Sequence, residues 1–417
     1  MLKLLLTLSL ALVLLFHPLP VRAASPNSPM GITSRLDNLN AINNDADWLE
    51  VENIIKLMYE AGIAWDRLFI PSERIITETG GLNTTYLTRL DRLISLYNKY
   101  NLNVYFLLFN SSHYIGYAGD VCDGSGSNPI DWPYNYWHSP PQKQNKWEEY
   151  LSTLVDRYKN SVKYWEISFE PNYSGCQFAL HPDRYVSFLQ STASTIRQHD
   201  SGAKIILGRL LPNQNANYLS TLLQNGAGSS FDIVSLGGPY QCESYGNASS
   251  WITAIRRVIS KPIWLTEVLC TSDSDGDGLS DSAGDDLQKT FISQIYRSGA
   301  NKVFFNSFID RNSFPAVHKR MSGLVSQDDL NYNTKPAFVA YQQAATAAGF
   351  PPPAPLPSLS PSPSSSSAPS PSPSPTLEGD FNRDGHVNVL DYSIFLSGFG
   401  TTYTVLDYSQ FILHFGE

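Results

Sequence analysis

The sequence lacks an excess of positive charge. It has 417 residues, with 29 Lys and Arg against 38 Asp and Glu, and a formal net charge of −9 at pH 7. Nucleic acids and anionic membranes attract basic chains, so the sequence predicts neither as a partner. Apolar runs long enough to span a bilayer are absent after the first residues, and we expect no transmembrane segment in the processed chain.

The first 23 residues have the pattern of an export signal. Lys3 supplies the positive start, Leu4–Phe16 form the apolar stretch, and the small residue Ala23 suits cleavage. A membrane anchor is the alternative, but the apolar stretch is shorter than the roughly 20 residues that a spanning helix needs. We therefore expect residues 1–23 to be removed and the protein to be secreted or held at the cell surface.

Between residues 28 and 350, short apolar strands alternate with amphipathic helices, a pattern typical of βα units around a parallel sheet. The predicted strands are Gly31–Ser34, Trp65–Ile70, Asn103–Phe109, Lys163–Ser168, Lys204–Gly208, Asp232–Leu236, Pro262–Thr266 and Lys302–Ser307. The predicted helices are Asp47–Ala61, Thr84–Tyr100, Lys146–Asn160, Asp183–His199, Ala216–Gln224, Ser249–Ser260, Gly284–Ser298 and Lys335–Ala348. Eight of each predict an α/β fold, an eightfold β/α (TIM) barrel with its active site at the C-terminal ends of the strands. A doubly wound open sheet is the competing fold, but no Gly-rich phosphate loop follows the first strand.

Cysteines are few, and their even number in an exported chain indicates two disulfides. The count of four leaves three pairings open. Cys122, Cys176, Cys242 and Cys270 follow the third, fourth, sixth and seventh predicted strands. Because loops that are neighbours on a barrel should pair, the fold favours Cys122–Cys176 and Cys242–Cys270.

Two segments follow the predicted barrel. Residues 351–377 form a Pro/Ser-rich linker that cannot bury a core and should behave as an extended tether. Residues 378–417 carry oxygen ligands at the spacing of a calcium loop, with Gly385 at its sixth position. The predicted calcium ligands are Asp380, Asn382, Asp384, His386, Asn388 and Asp391. An acidic surface turn is the alternative interpretation.

The last 40 or so residues also contain an internal repeat, in which 389–400 matches 405–416. Loop and repeat together resemble a dockerin, and this resemblance implies a cohesin-type protein partner. Only residues 400–404 precede the second copy, which is too short for a second calcium loop. We therefore expect one calcium ion in this module.

Two glutamates end predicted strands in matching contexts. Glu170 follows the strand Lys163–Ser168, and Glu267 follows Pro262–Thr266, 97 residues later (267 − 170). A carboxylate beside a buried strand is costly unless it has a function. Delivered to one end of a barrel, two carboxylates provide what glycoside cleavage needs, one as acid/base and one as nucleophile.

The runs Glu170-Pro171-Asn172 and Trp264-Leu265-Thr266-Glu267 resemble the strand 4 and strand 7 motifs of clan A glycoside hydrolases, of the kinds in families 5 and 39. The resemblance covers roughly residues 30–348. It implies that Glu170 is the proton donor and Glu267 the nucleophile of a retaining mechanism that needs no cofactor. Arg67, in the second strand, is the expected stabiliser of ionised Glu267.

One residue departs from the clan pattern. In the clan an Asn precedes the acid/base and binds the sugar 2-hydroxyl, whereas this chain has Phe169. Two hypotheses follow. The first is a secreted retaining glycoside hydrolase that cleaves O-glycosidic bonds in a polysaccharide. The alternative is a catalytically inactive barrel that binds carbohydrate for adhesion or assembly.

Further site residues are predicted from their places in the strand-to-helix loops. The candidates for substrate binding are Arg67, His113, Trp132, Trp137, Asn172, Tyr240 and Asn306. For any single aromatic residue among them, structural packing is an equal alternative. A second calcium site is predicted from the spacing of Asp273, Asp275, Asp277 and Asp281. Its alternative is an acidic turn that caps the following helix.

Overall fold

The computed structural model describes residues 25–42, 44–118, 134–212, 215–274, 280–310, 321–328 and 331–353. The chain divides into two units, Met1–Pro355 and Leu356–Glu417. Every described residue belongs to the first unit. The predicted export signal, most of the Pro/Ser linker and the whole dockerin-like module lie outside the described residues, so these predictions stay predictions.

The eight predicted strands are all present, and their ends differ from expectation by a few residues. They are β1 Met30–Ile32, β2 Trp65–Pro71, β3 Asn103–Phe109, β4 Val162–Ile167, β5 Lys204–Leu207, β6 Val234–Gly237, β7 Ile263–Val268 and β8 Lys302–Phe305. A short antiparallel hairpin follows them, formed by β9 Val325–Asp328 and β10 Asn331–Thr334.

The eight predicted helices are present as well. They are α1 Asp45–Glu60, α2 Thr84–Lys99, α3 Gln144–Tyr158, α4 Pro182–His199, α5 Asn215–Gln224, α6 Tyr245–Arg256, α7 Ser282–Ile295 and α8 Pro336–Ala347. Short helices at Ser72–Ile75, Tyr134–Trp137 and Gln177–Leu180 lie in the loops between strands and helices. Among the described helices, none combines the length and the apolarity that crossing a bilayer requires.

The strands form one parallel sheet that curls into a nearly closed barrel. Their order is β5-β4-β3-β2-β1-β8-β7-β6, so the first and last strands of the barrel are neighbours. The two ends of the order, β5 and β6, meet through isolated parallel bridges at Ile206–Ile233 and Leu210–Leu236. This arrangement confirms the predicted TIM-type barrel and puts the carboxyl ends of all eight strands at one mouth.

Large aromatic side chains fill the barrel interior, which explains why its strands read as apolar runs. Trp65, Tyr105, Trp264 and Phe304 are buried and pack edge to face, with ring centroids 5.6 Å apart for Tyr105 and Trp264 and 5.0 Å apart for Tyr105 and Phe304. Gly31 of β1 makes room for this packing, because a Cβ there would lie 2.5 Å from the Phe304 ring. The base of the barrel is therefore a packed core.

A disulfide joins the loops that follow β6 and β7. Cys242 is bonded to Cys270, with 4.6 Å between their Cα atoms, which confirms the predicted pair. Cys176 is also disulfide-bonded. Its predicted partner, Cys122, lies outside the described residues.

Candidate active site

Three charged side chains meet at the mouth of the barrel. Glu170 follows β4, Arg209 follows β5, and Glu267 is the fifth residue of β7. Arg209 donates a hydrogen bond from Nη2 to Oε1 of Glu170 and forms an ion pair through Nη1 with Oε2 of Glu267. The side chains are 3 %, 11 % and 13 % exposed for Arg209, Glu170 and Glu267. The two glutamates predicted from the sequence are thus held by a single guanidinium.

A second arginine supports Glu267 from inside the barrel. Arg67, the third residue of β2, donates from Nη1 to Oε2 of Glu267 at 3.1 Å and from Nε to Oε2 of Glu166 at 2.8 Å. Glu166 in turn accepts a hydrogen bond from Ser235 Oγ at 2.8 Å. Arg67 and Glu166 are both fully buried. Asn306, after β8, donates to the other Glu267 oxygen, Oε1, at 3.1 Å. Both carboxylate oxygens are therefore fixed in place.

The surroundings shift the pKa values of the two carboxyl groups in opposite directions. Burial raises the pKa of Glu170, and the nearby Glu267 adds to this, while Arg209 and Arg67 oppose it. Burial also acts to raise the pKa of Glu267, but Arg209, Arg67 and Arg35 together outweigh it and lower that pKa. The pKa of Glu170 is thus raised and that of Glu267 lowered, and this is the order that an acid and a nucleophile require.

The backbone that carries Glu170 is in an unusual conformation. Ser168 and Glu170 have φ values of +74° and +47°, in the left-handed region that residues other than Gly rarely adopt. Ser168 Oγ donates to the Trp137 carbonyl at 3.2 Å, which ties this turn to the loop after β3. Such strain persists only when surrounding contacts impose it, and it concentrates at functional sites.

His138 lies directly behind the Glu170 turn. It is fully buried, its ring stacks on Tyr173 with centroids 4.9 Å apart, and it contacts the backbone of Phe169 and Glu170. Burial lowers the pKa of His138 to about 3, so the ring is neutral at ordinary pH. It can therefore support the turn without adding a charge beside Glu170.

Phe169 belongs to an aromatic wall. Its ring centroid lies 5.9 Å from that of Phe69, 6.0 Å from that of Phe109 and 5.6 Å from that of Trp137. The guanidinium carbon of Arg209 lies 4.6 Å from the centre of the Phe169 ring. The residue that replaces the expected Asn thus serves as a platform for Arg209.

Three other residues were predicted to bind substrate: Asn172, His113 and Trp132. Asn172 uses its side-chain amide on the backbone of Leu211, which donates to Oδ1 at 2.8 Å and accepts from Nδ2 at 3.1 Å. His113 Nδ1 lies 3.2 Å from Tyr136 Oη. Trp132 lies outside the described residues.

Tyr240 was predicted to bind substrate, and its hydroxyl lies beside Gly237, the last residue of β6. The residue is 37 % exposed, and the guanidinium carbon of Arg209 lies 6.0 Å from the centre of its ring. Gly237 makes room here, because a Cβ at this position would meet the Tyr240 hydroxyl and lie 3.1 Å from Cδ of Arg209. Within the described residues, no hydrogen bond joins Tyr240 to Glu267.

The predicted calcium ligands are only partly described. Asp281 caps α7, because its Oδ1 accepts from the Gly284 amide at 2.8 Å and its Oδ2 accepts from the Ser274 amide at 2.6 Å. Asp273 is described, but Asp275 and Asp277 are not, and neither is any ligand of the C-terminal loop.

Three residues of the site were not predicted from the sequence: Glu166, Arg209 and His138. Arg209 follows a buried strand just as Glu170 does, so the same strand-end signal could have found it. Glu166 is a carboxylate inside an apolar run, which is a signal in itself. No local signal marks His138, since its role depends on how the loop after β3 folds back.

Comparisons with known proteins bear on the barrel. No protein with a curated description matches the sequence significantly. Among solved structures, a family 39 glycoside hydrolase from Bacteroides cellulosilyticus WH2 aligns at 16% identity and TM-score 0.54, over 77% of this chain and 63% of that one. A GH5_18 protein from Streptomyces cattleya aligns at 14% identity and TM-score 0.57, over 79% and 83% of the two chains. A family 1 β-glucosidase from Thermotoga maritima aligns at 14% identity and TM-score 0.52, over 79% and 95%.

At such identities these likenesses show a shared fold. The chain spans less than two thirds of the length of the Bacteroides protein. The sequence itself matches the profile of the Glycosyl hydrolase catalytic core family over residues 114–338, which include Glu170, Arg209 and Glu267. Because this match extends over more than half of the 417 residues, the protein belongs to the Glycosyl hydrolase catalytic core family.

Proposed function

We propose that the protein is a secreted retaining glycoside hydrolase that cleaves O-glycosidic bonds in a polysaccharide. Glu170 is the acid/base and Glu267 the nucleophile. The observation that carries this proposal is the meeting of these two carboxyl groups at one guanidinium, at the barrel mouth where TIM-barrel enzymes hold their active sites. Membership of a glycosyl hydrolase family supports a glycosidase.

The reaction proceeds in two steps. Glu170 gives its proton to the glycosidic oxygen while a Glu267 oxygen attacks the anomeric carbon, so the leaving sugar departs and a glycosyl–enzyme ester forms. Glu170, now ionised, takes a proton from water, and the resulting hydroxide attacks the ester and restores Glu267. The lowered pKa of Glu267 keeps its carboxylate ionised for the first step. Asn306 and Arg67 hold it in a single orientation.

A panel of plant, fungal and bacterial polysaccharides tests this function. We expect the wild type to release sugars from at least one of them, and Glu170→Gln and Glu267→Gln to lose about 10²–10⁴-fold in rate. Glu148→Gln, on the exposed side of α3, is the matched control and should retain full activity. A 2-fluoro glycoside should leave a covalent adduct on Glu267. A hydrolysis rate in Glu267→Gln equal to that of the wild type would refute the assignment.

The second candidate, an inactive carbohydrate-binding barrel, is favoured by two observations. Arg209 pairs with the proposed acid, and Phe169 takes the place of the Asn that binds the sugar 2-hydroxyl. This candidate predicts sugar binding without turnover of any polysaccharide and without a 2-fluoro glycoside adduct. Detection of either turnover or adduct would exclude it.

For the C-terminal segment we propose a calcium-binding dockerin-type module that anchors the enzyme to a cohesin-type partner. The support is the ligand spacing from Asp380 to Asp391 and the repeat after it. Calorimetry should show one strong calcium site in this module, and two equal sites would refute the truncated second loop. A further calcium ion at residues 273–281 is a separate proposal, and there Asp281 would have to exchange its capping contacts for the metal.

A further inference from the structure

Arg209 occupies the place where the reaction must occur. Its Nη2 contacts Glu170, and its Nη1 contacts Glu267. In a retaining mechanism the anomeric carbon and the glycosidic oxygen lie between these two carboxyl groups. The guanidinium and the reacting bond cannot fill the same space, so the arrangement in this structure is a resting state.

The contacts of Arg209 allow it to move. Its guanidinium carbon lies over the Phe169 ring at 4.6 Å and beside the Tyr240 ring at 6.0 Å, and such contacts have no fixed hydrogen-bond direction. Among the described residues, its Nε has no hydrogen-bond partner. The contacts that hold the guanidinium are therefore those to the two glutamates.

Glu170 is surrounded by few charges. Arg209, Arg67 and Glu267 act on its carboxyl group, and the neutral His138 contacts its backbone. Arg209 is the member of this set that forms a hydrogen bond with Glu170. Burial favours the protonated form of Glu170, and Arg209 favours the ionised form. Without Arg209, Arg67 would be the one named cation that still opposes the effect of burial.

We propose that Arg209 is a positioning residue that keeps Glu170 ionised while the site is free, and that it leaves Glu170 when a sugar binds, so that substrate binding takes up one proton. This inference rests on the proposed function, because it concerns the acid of that reaction. The proton comes from solvent and forms the O–H bond of the Glu170 acid. Arg209 keeps its charge, stays paired with Glu267, and donates from Nη2 to a sugar hydroxyl.

The first test needs no substrate. In the full chain labelled with ¹³C at the glutamate carboxyl carbons, the Glu170 resonance is identified by its loss in Glu170→Gln and followed through a pH titration. Arg209→Gln should raise the Glu170 midpoint by about one pH unit or more. Arg209→Lys keeps the charge but loses the forked contact, so the midpoint should rise by a smaller amount.

Arg197→Gln is the matched control, since Arg197 lies on α4 and pairs with Asp232, away from the site. It should leave the Glu170 midpoint unchanged. An unchanged midpoint in both Arg209 variants would overturn the proposal. A result of this kind stands even if no polysaccharide is cleaved, so failure here is distinct from failure of the proposed function.

The second test uses the wild type on the polysaccharide that the panel identifies. The pH profile of kcat/KM reports the free enzyme, and that of kcat reports the complex with substrate. Glu170 must be protonated for the first step, so its titration sets the alkaline limb with a substrate for which that step limits kcat. That limb should lie at higher pH for kcat than for kcat/KM, by about one unit or more. In Arg209→Gln the two limbs should coincide. Coincident limbs in the wild type would refute the release of Glu170.

Discussion

Replacement of Arg67 by Met should destabilise the barrel strongly. Arg67 is the ion-pair partner that the described residues provide for Glu166, and both side chains are fully buried. Glu267 also contacts Arg67, but it keeps Arg209 and Asn306. The uncompensated charge is therefore that of Glu166. Removing one member of a buried pair costs about 3–5 kcal/mol, a large fraction of the roughly 5–15 kcal/mol that stabilises a domain.

Equilibrium unfolding in guanidinium chloride measures this cost. Arg67→Met combined with Glu166→Met should lose less than Arg67→Met alone. Arg92→Met is the matched control, since Arg92 forms an exposed pair with Asp45 and should cost less than about 1 kcal/mol. A loss for Arg67→Met that equals this control would contradict the expected cost of leaving Glu166 without its ion-pair partner.

Three further predictions concern the same barrel mouth. Removal of the Cys242–Cys270 disulfide by double substitution to Ser should cost about 3–4 kcal/mol in the unfolding assay, because the bond closes a 28-residue separation; a change below about 1 kcal/mol would contradict this. Gly237→Ala should lower the hydrolysis rate about 10- to 100-fold with little change in Tm, since its Cβ would overlap the Tyr240 hydroxyl and crowd Cδ of Arg209. A normal rate would contradict this. Glu267 must be ionised to attack, and its pKa is lowered from the ordinary 4.5 of a glutamate. Activity should therefore persist as the pH falls and be lost only below pH 4.5. An acid limb of kcat/KM above pH 4.5 would argue against Glu267 as the nucleophile.

Much of the fold could be predicted because the barrel strands are buried on both faces. In β3, for instance, every residue after Asn103 is buried, so the strand appears in the sequence as a continuous apolar run. Helix ends were harder to predict. The helix α6 begins at Tyr245, whereas the sequence predicted a start at Ser249. The prediction missed the first turn because Gly246 and Asn247 interrupt its apolar periodicity.

The positions of Glu170 and Glu267 could be predicted from the sequence, but the ion pairs that the site residues form could not. Glu170 and Glu267 were found because each ends a buried strand, and barrel geometry then brings strand ends together. Which charges face each other depends on side-chain directions and on neighbouring strands. The pairing of Arg209 with both glutamates, and its place over Phe169, follows from the order of β4, β5 and β7 around the barrel. The sequence showed that Phe169 replaces the Asn of the clan pattern, but it did not show that Arg209 packs over the Phe169 ring.

The join between β5 and β6 has a consequence for how the active site is assembled. These strands meet through two isolated bridges, whereas β2 and β3 pair at all seven positions. Glu170 and Arg209 stand on the β4–β5 side of this join, and Glu267 stands beyond it on β7. A chain divided between β5 and β6 would therefore place one of the two proposed catalytic glutamates on each fragment. The barrel is in this sense two half-sites, and the ion pairs of Arg209 and Arg67 with Glu267 are contacts that join them.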